Sequence, residues 1–85
     1  MMKTTPLRDV VAQRLEGRWH DWARRHPSLA AAIDRTRLID QTVDRLRDDP
    51  QFQAAMRQAH LDEKTMLNAL ALLEQIDRWL LRLLP

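Results

Sequence analysis

The placement of proline and glycine divides this chain into helix-length segments. Prolines occur at Pro6, Pro27, Pro50 and Pro85, and the single glycine is Gly17. Proline fits the first turn of an α-helix but not its interior, so successive prolines mark where helices begin and end. Between them the chain is rich in alanine, leucine, arginine and glutamine, which favour helix, and it lacks the β-branched and aromatic alternation of strands. The sequence therefore predicts an all-α protein.

Apolar side chains recur at spacings of three and four residues, which is typical of helices that bury one face. We predict a single domain over residues 1–85, built as a small bundle of three to four helices. In the first helix we expect Thr5 to be the N-cap and Pro6 the first helical residue. Asp49 and Pro50 are expected to play the same roles in the third. The predicted helices cover residues 6–25, 28–48, 50–60 and 63–84. The predicted core faces are Leu7, Val11, Leu15, Trp19 and Trp22 in the first helix and Leu29, Ala32, Ile33, Thr36, Ile39, Val43 and Leu46 in the second.

The boundary between the last two predicted helices has two interpretations. The apolar register continues through residues 50–84 without a glycine or proline in the interior, which allows one helix of roughly 50 Å. The alternative is a break at Leu61 and Asp62, with Asp62 as N-cap and Leu61 packing against Met66. Continuity predicts a hairpin or three-helix arrangement with a protruding arm, whereas a break predicts a compact four-helix domain.

The inventory of side chains argues against catalysis. The chain has no cysteine, no tyrosine, one serine (Ser28) and two lysines, so a nucleophile with a positioned base is not expected. One glycine cannot build a phosphate-binding loop. Glu16 and His20 are four residues apart on one helix face, but no further ligand follows at metal-binding spacing. We therefore predict a protein that is not an enzyme and that has no cofactor, no metal site and no small-molecule substrate.

Neither end of the sequence resembles a membrane or export signal. The first residues lack the apolar run of a signal peptide. Charged residues interrupt the leucine-rich C-terminal segment at Glu74, Asp77, Arg78 and Arg82. A membrane span is therefore not expected, and we predict a cytoplasmic location.

The C-terminal helix carries more apolar surface than one packing layer needs. Thirteen of the nineteen residues from Met66 to Leu84 are apolar, and on a helical wheel they cover an arc of about 200°. Burial against a single layer requires an arc nearer about 100–140°. The surplus is covered either by helices on two sides, as in the centre of a bundle, or by another chain.

Asp77 falls inside this apolar arc. An unpaired carboxylate there would be costly, so a basic partner is expected, and Arg14 or Arg18 in the first helix could supply it. The alternative is that Asp77 lies near the helix end in contact with water. A buried polar contact of this kind would fix the register or the oligomeric state of the bundle.

These features favour a non-enzymatic interaction protein that self-associates, or binds a partner helix, through its C-terminal helix. Leu72, Trp79 and Leu83 are the predicted contact residues, because tryptophan is enriched at interfaces and Leu72 and Leu83 flank Trp79 on the same face. Leu38 lies opposite the core stripe of the second helix and is a further candidate for a contact surface. An assembly factor, a small chaperone or an accessory subunit would each fit this pattern.

Nucleic-acid binding is the alternative function. Arg14, Arg18 and Arg25 lie along one edge of the first helix and could contact phosphates. Asp21 lies among them and would neutralise part of the stripe. The predicted turn between the second and third helices carries Asp48 and Asp49, whereas a helix-turn-helix often has glycine there.

Overall fold

Five helices account for most of residues 6–61 and 70–84, which are the residues that this computed structural model describes. No strand occurs in these ranges, so the all-α prediction is confirmed. The helices are α1 (Leu7–Arg25), α2 (Pro27–Ala32), α3 (Arg35–Arg47), α4 (Pro50–Gln58) and α5 (Leu70–Leu83).

The predicted second helix is in fact two helices, which is why the described residues contain more helices than predicted. Asp34 caps α3, because its Oδ1 accepts hydrogen bonds from the backbone N–H of Thr36 at 3.0 Å and of Arg37 at 3.4 Å. Ile33, just before it, is extended, with φ −92° and ψ 128°. A capping aspartate satisfies N–H groups that have no partner within the helix, so a new helix starts here.

This break changes which face of α3 is buried. The predicted stripe ran through Ala32 and Thr36, and both are exposed. Leu38 and Thr42, which the predicted stripe did not include, are buried, and so are its members Val43 and Leu46. The stripe prediction was therefore wrong for the first half of the segment, because it assumed one continuous helical register across Asp34.

The interpretation of residues 50–84 as one continuous helix is also wrong. After α4 ends, the N–H of Leu61 donates to the carbonyl of Met56 at 2.9 Å, and the N–H of His60 donates to that of Arg57 at 3.1 Å. His60 has φ 56°, the left-handed conformation. Together these features form a Schellman motif, which ends a helix. Glycine usually occupies the left-handed position at a helix end. Because this position is a histidine, the sequence did not indicate that the helix ends here. The predicted cap Asp62 and Met66, the predicted contact of Leu61, lie outside the described residues.

The proline-based boundaries agree with the structure to within one residue. Pro6 is the N-cap of α1 rather than its first helical residue, and Thr5 lies outside the described residues. Pro27 and Pro50 each begin a helix. Asp49 caps α4 as predicted, since its Oδ1 accepts from the N–H groups that follow Pro50.

Helix α5 packs against α1, α3 and α4. Arg14 of α1 contacts Asp77, whereas Trp22, later in α1, lies beside Leu84, so α1 and α5 run in the same direction. Helix α3 runs in the opposite direction, because its N-terminal part lies near the C-terminal parts of both.

The buried apolar core consists of Leu7, Val10, Val11, Leu15, Trp22, Leu38, Val43, Leu46, Phe52, Met56, Leu72, Ile76, Leu80 and Leu84. None of the helices in the described ranges is long and apolar enough to span a membrane.

Candidate interaction surface

The apolar arc of α5 is largely covered inside one molecule. Ile76 and Leu80 are fully buried, and Leu72 is only 2% exposed. The arc is covered by the three helices that contact α5, namely α1, α3 and α4. Of the two explanations for the wide arc, the central helix of a bundle therefore accounts for most of it.

Two of the predicted contact residues are consequently not on the surface. Leu72 faces the core, and Leu38 is 5% exposed because neighbouring helices cover it. The expectation that these two side chains are open to a partner was wrong. Trp79 and Leu83 are partly buried at the edges of the core, and their role as contact residues stays a prediction.

Asp77 is held by two arginines of α1. Arg14 Nε donates to Asp77 Oδ1 at 2.9 Å, Arg14 also donates through Nη2 to Oδ2, and Arg18 Nη2 donates to the same Oδ2 at 2.9 Å. Burial raises the pKa of the Asp77 carboxyl, but the hydrogen bonds and charges of Arg14 and Arg18 outweigh it, so the pKa lies below its ordinary value. The same contact raises the pKa of the Arg14 guanidinium. The predicted pairing is confirmed, whereas the proposed role of Asp77 in register or oligomeric state stays a prediction.

The arginines suggested as anion contacts already have acidic partners. Arg14 and Arg18 share Asp77. Arg25 lies 3.8 Å from an Asp21 carboxylate oxygen. A phosphate would therefore have to compete with carboxylates along this edge of α1.

Trp79 makes a contact that sequence reasoning missed. Its indole Nε1 donates to Asp49 Oδ2 at 3.0 Å, and the Arg82 guanidinium carbon lies 5.2 Å from the centre of its ring. Capping of α4 uses only Oδ1 of Asp49, so Oδ2 is free to accept the indole N–H. The only signal in the sequence was the capping aspartate itself, which implies one carboxylate oxygen without a helical partner.

Exposed apolar side chains concentrate at one end of the bundle. This end, called the α2 end below, comprises α2, the C-terminal ends of α1 and α5, and the start of α3. The two large apolar side chains that are exposed among the described residues are Leu29 of α2, at 43%, and Leu81 of α5, at 56%. No residue of α2 is buried, although the helix reads Pro-Ser-Leu-Ala-Ala-Ala. Sequence reasoning placed Leu29 in the core and so missed this surface.

Two hollows flank the C-terminal part of α5 at the α2 end. One, of about 220 Å³, is a groove between Leu83 of α5 and Ile33, with Leu38 also lining it. The other, of about 140 Å³, lies beside Leu81 and is lined by Gly17 and further residues of α1. The structure thus brings two predicted contact residues, Leu38 and Leu83, to one groove, and it places Trp79 elsewhere, at the α3–α4 corner.

Residues with metal-binding chemistry do not gather into a set. Glu16 and His20 are both exposed on α1. Within residues 6–61 and 70–84, no three histidine, cysteine or acidic side chains lie close enough together to hold a metal ion.

Comparison with known proteins adds no relative. No protein-family model matches the chain, and no match was found among curated proteins or solved structures.

Proposed function

We propose that this protein is a non-enzymatic interaction module that self-associates through the α2 end, which includes the C-terminal part of α5. The observation that carries the proposal is that Leu29 of α2 and Leu81 of α5, the exposed large apolar side chains of the described residues, both belong to elements of the α2 end. Single exposed leucines are common, but both of these belong to the end of the bundle that also carries a helix with no buried residue, and this supports a contact surface there.

The shape of the α2 end supports contact with a second molecule. Leu81 projects beside a hollow, and Leu83 borders the apolar groove that Ile33 and Leu38 line. Projecting leucines next to hollows of side-chain size allow two copies to insert side chains into each other. A two-fold axis generates such reciprocal contacts, because the same patch serves on both molecules.

Charge at the rim of this surface favours a second copy as the partner. Asp21 and Asp34 lie at the rim, and so do Arg25 and Arg37. Because Asp34 and Arg37 line the same groove, a two-fold arrangement can place the acidic group of one copy against the basic group of the other. The small size of the chain and its lack of cysteine also favour stabilisation by association.

Sedimentation velocity over a wide range of protein concentrations tests the proposal. The wild type is expected to shift from monomer to a larger species as concentration rises. The double variant Leu29→Glu and Leu81→Glu is expected to stay monomeric, because both side chains are exposed and each substitution buries a charge in the proposed contact.

The double variant Gln13→Glu and Gln58→Glu is the matched control, since it adds the same two charges at exposed positions of α1 and α4. It should associate like the wild type. A wild type that remains monomeric throughout, or a double variant that associates normally, would contradict self-association at the α2 end.

The nucleic-acid alternative has weaker support. Arg14, Arg18 and Arg25 are the basic side chains on which it rests, and all of them contact carboxylates. We expect no salt-sensitive binding to random double-stranded DNA, and such binding would favour the alternative.

A further inference from the structure

Two of the described helices begin at capping aspartates that have nearly the same geometry. Asp34 before α3 has φ −85° and ψ 109°, and Asp49 before α4 has φ −87° and ψ 109°. The Oδ1 of each accepts from the backbone N–H groups two and three residues later, at 3.0 and 3.4 Å for Asp34 and at 3.0 and 3.5 Å for Asp49. Asp34 is therefore an internal reference for what Asp49 does in addition.

The two caps differ in what the second carboxylate oxygen contacts. Trp79 Nε1 of α5 donates to Asp49 Oδ2 at 3.0 Å, whereas within residues 6–61 and 70–84 the Asp34 side chain has no partner from another helix. The hydrogen bond from Trp79 is the main reason that the pKa of the Asp49 carboxyl lies below its ordinary value, although burial opposes it. Asp49 is therefore charged near neutral pH, and a charged acceptor strengthens its hydrogen bonds.

Helix α4 needs support from its neighbours. It has nine residues, and a helix of that length is not stable alone in water. It packs against α3 and α5 and buries Phe52 and Met56. Among the described residues, the hydrogen bond from Trp79 to Asp49 is the polar contact that joins α5 to the start of α4.

The contact with Trp79 also holds the Asp49 carboxylate in its capping orientation. A capping side chain without a second contact can rotate away from the helix, whereas the indole N–H fixes Oδ2 and leaves Oδ1 directed at the first turn. The indole ring is itself held, because the Arg82 guanidinium carbon lies 5.2 Å from its centre. If the position of Trp79 strengthens the cap by some factor, the cap must strengthen the position of Trp79 by the same factor.

We propose that Asp49 and Trp79 form a latch between α4 and α5, so that the first turn of α4 stays closed only while Trp79 is in place. The two helices then open and close as one cooperative unit, and opening of this unit exposes Phe52 and Met56. The latch acts within one molecule and does not depend on the proposed self-association.

Hydrogen exchange of backbone amides, followed by nitrogen-15 NMR on the full chain, tests the latch. Trp79→Phe removes the indole donor and keeps an aromatic ring. The amides of Gln51 and Phe52 are expected to exchange about tenfold faster in this variant, whereas those of Thr36 and Arg37 at the reference cap should not change. Unchanged rates at Gln51 and Phe52, or an equal rise at both caps, would overturn the proposal.

Asp49→Asn tests the latch from the other helix and serves if Trp79→Phe fails to fold. Asparagine has one side-chain oxygen, so it can cap α4 or accept from Trp79 but cannot replace both carboxylate oxygens. Exchange should therefore rise about tenfold at the Trp79 indole or at Gln51 and Phe52. Asp34→Asn makes the same change at the reference cap and should alter neither. Full protection of both groups in Asp49→Asn would overturn the proposal.

The double variant shows whether the two groups act together. In Asp49→Asn with Trp79→Phe, the exchange rates of Gln51 and Phe52 should rise by less than the product of the two single effects, because either substitution already breaks the latch. Effects that multiply would mean that Asp49 and Trp79 act independently, and the latch would be excluded.

Discussion

Helices α5 and α2 are both rich in apolar residues, yet they bury very different amounts of them. Ile76 and Leu80 of α5 are fully buried, whereas α2 has no buried residue and its Leu29 is 43% exposed. Among the described residues, α5 is contacted by three helices and α2 packs only on α1. The difference shows that apolar composition does not by itself bury a helix. The number of neighbouring elements decides how much of its surface is covered.

The largest expected difference between the two helices is in the cost of truncating a leucine. Leu80→Ala should lower the free energy of unfolding by about 2–5 kcal/mol, because it leaves a cavity in the core. Leu29→Ala should change it by less than about 0.5 kcal/mol. Urea unfolding of both variants at a protein concentration where the wild type is monomeric measures the difference. Equal effects would contradict the comparison.

Removal of the Asp77 carboxylate in α5 is expected to lower the free energy of unfolding more than removal of the exposed Leu29 side chain in α2. Asp77→Ala should lower the free energy of unfolding by about 1–3 kcal/mol, because it leaves Arg14 and Arg18 without their carboxylate partner. The effect stays below that of a fully buried pair, since the arginine side chains are 37% and 42% exposed. Asp77→Asn is the control that keeps the shape and removes the charge. Sedimentation of Asp77→Ala also tests the register role, which would be excluded if both stability and assembly were unchanged.

The same contact predicts how the stability of the α1–α5 pair depends on pH. The pKa of Asp77 lies below its usual value in the folded protein, because the arginine contacts outweigh burial. Its stabilisation is therefore complete above the unfolded-state pKa of about 4 and is lost as the pH falls through the folded-state pKa. Urea unfolding between neutral and strongly acidic pH should show a smaller loss of stability in Asp77→Asn than in the wild type. Parallel losses would contradict this assignment.

A small gain in stability is expected at Gly17, an exposed position of α1 that no neighbour covers. A Cβ added at Gly17 would meet nothing within 4 Å. Gly17→Ala should therefore raise the free energy of unfolding by about 0.5–1 kcal/mol, because alanine restricts the unfolded chain and favours helix. Thermal unfolding measures the gain. A loss of stability would mean that the hollow beside Gly17 must stay open in the folded molecule.

Much of the fold was predictable because local chemistry determines where helices begin. Pro27 and Pro50 mark the first residues of α2 and α4, and Asp49 caps as expected. The cap at Asp34 and the left-handed His60 were not recognised. Both are single-residue events inside otherwise regular apolar patterns, and an aspartate or histidine there is equally compatible with an exposed position in a continuing helix.

The candidate site was predictable only in part. The partners of Asp77 could be proposed because a carboxylate in an apolar arc needs a cation, and Arg14 and Arg18 flank the apolar face of α1. The surface positions of Leu38 and Leu72 were predicted wrongly. Their burial depends on which helices cover them, and that arrangement is not a property of either helix alone.

The amino-acid sequence by itself determined that this chain is helical, where its proline-marked helices start, and which arginines of the first helix could pair with Asp77. Backbone preferences and the cost of an unpaired charge act locally or between identifiable groups, so they can be inferred from residue types. Only the tertiary structure decided that α5 is enclosed while α2 stays open, and that Trp79 meets the Asp49 cap. Burial arises between elements, and its extent is defined only once the helices are packed.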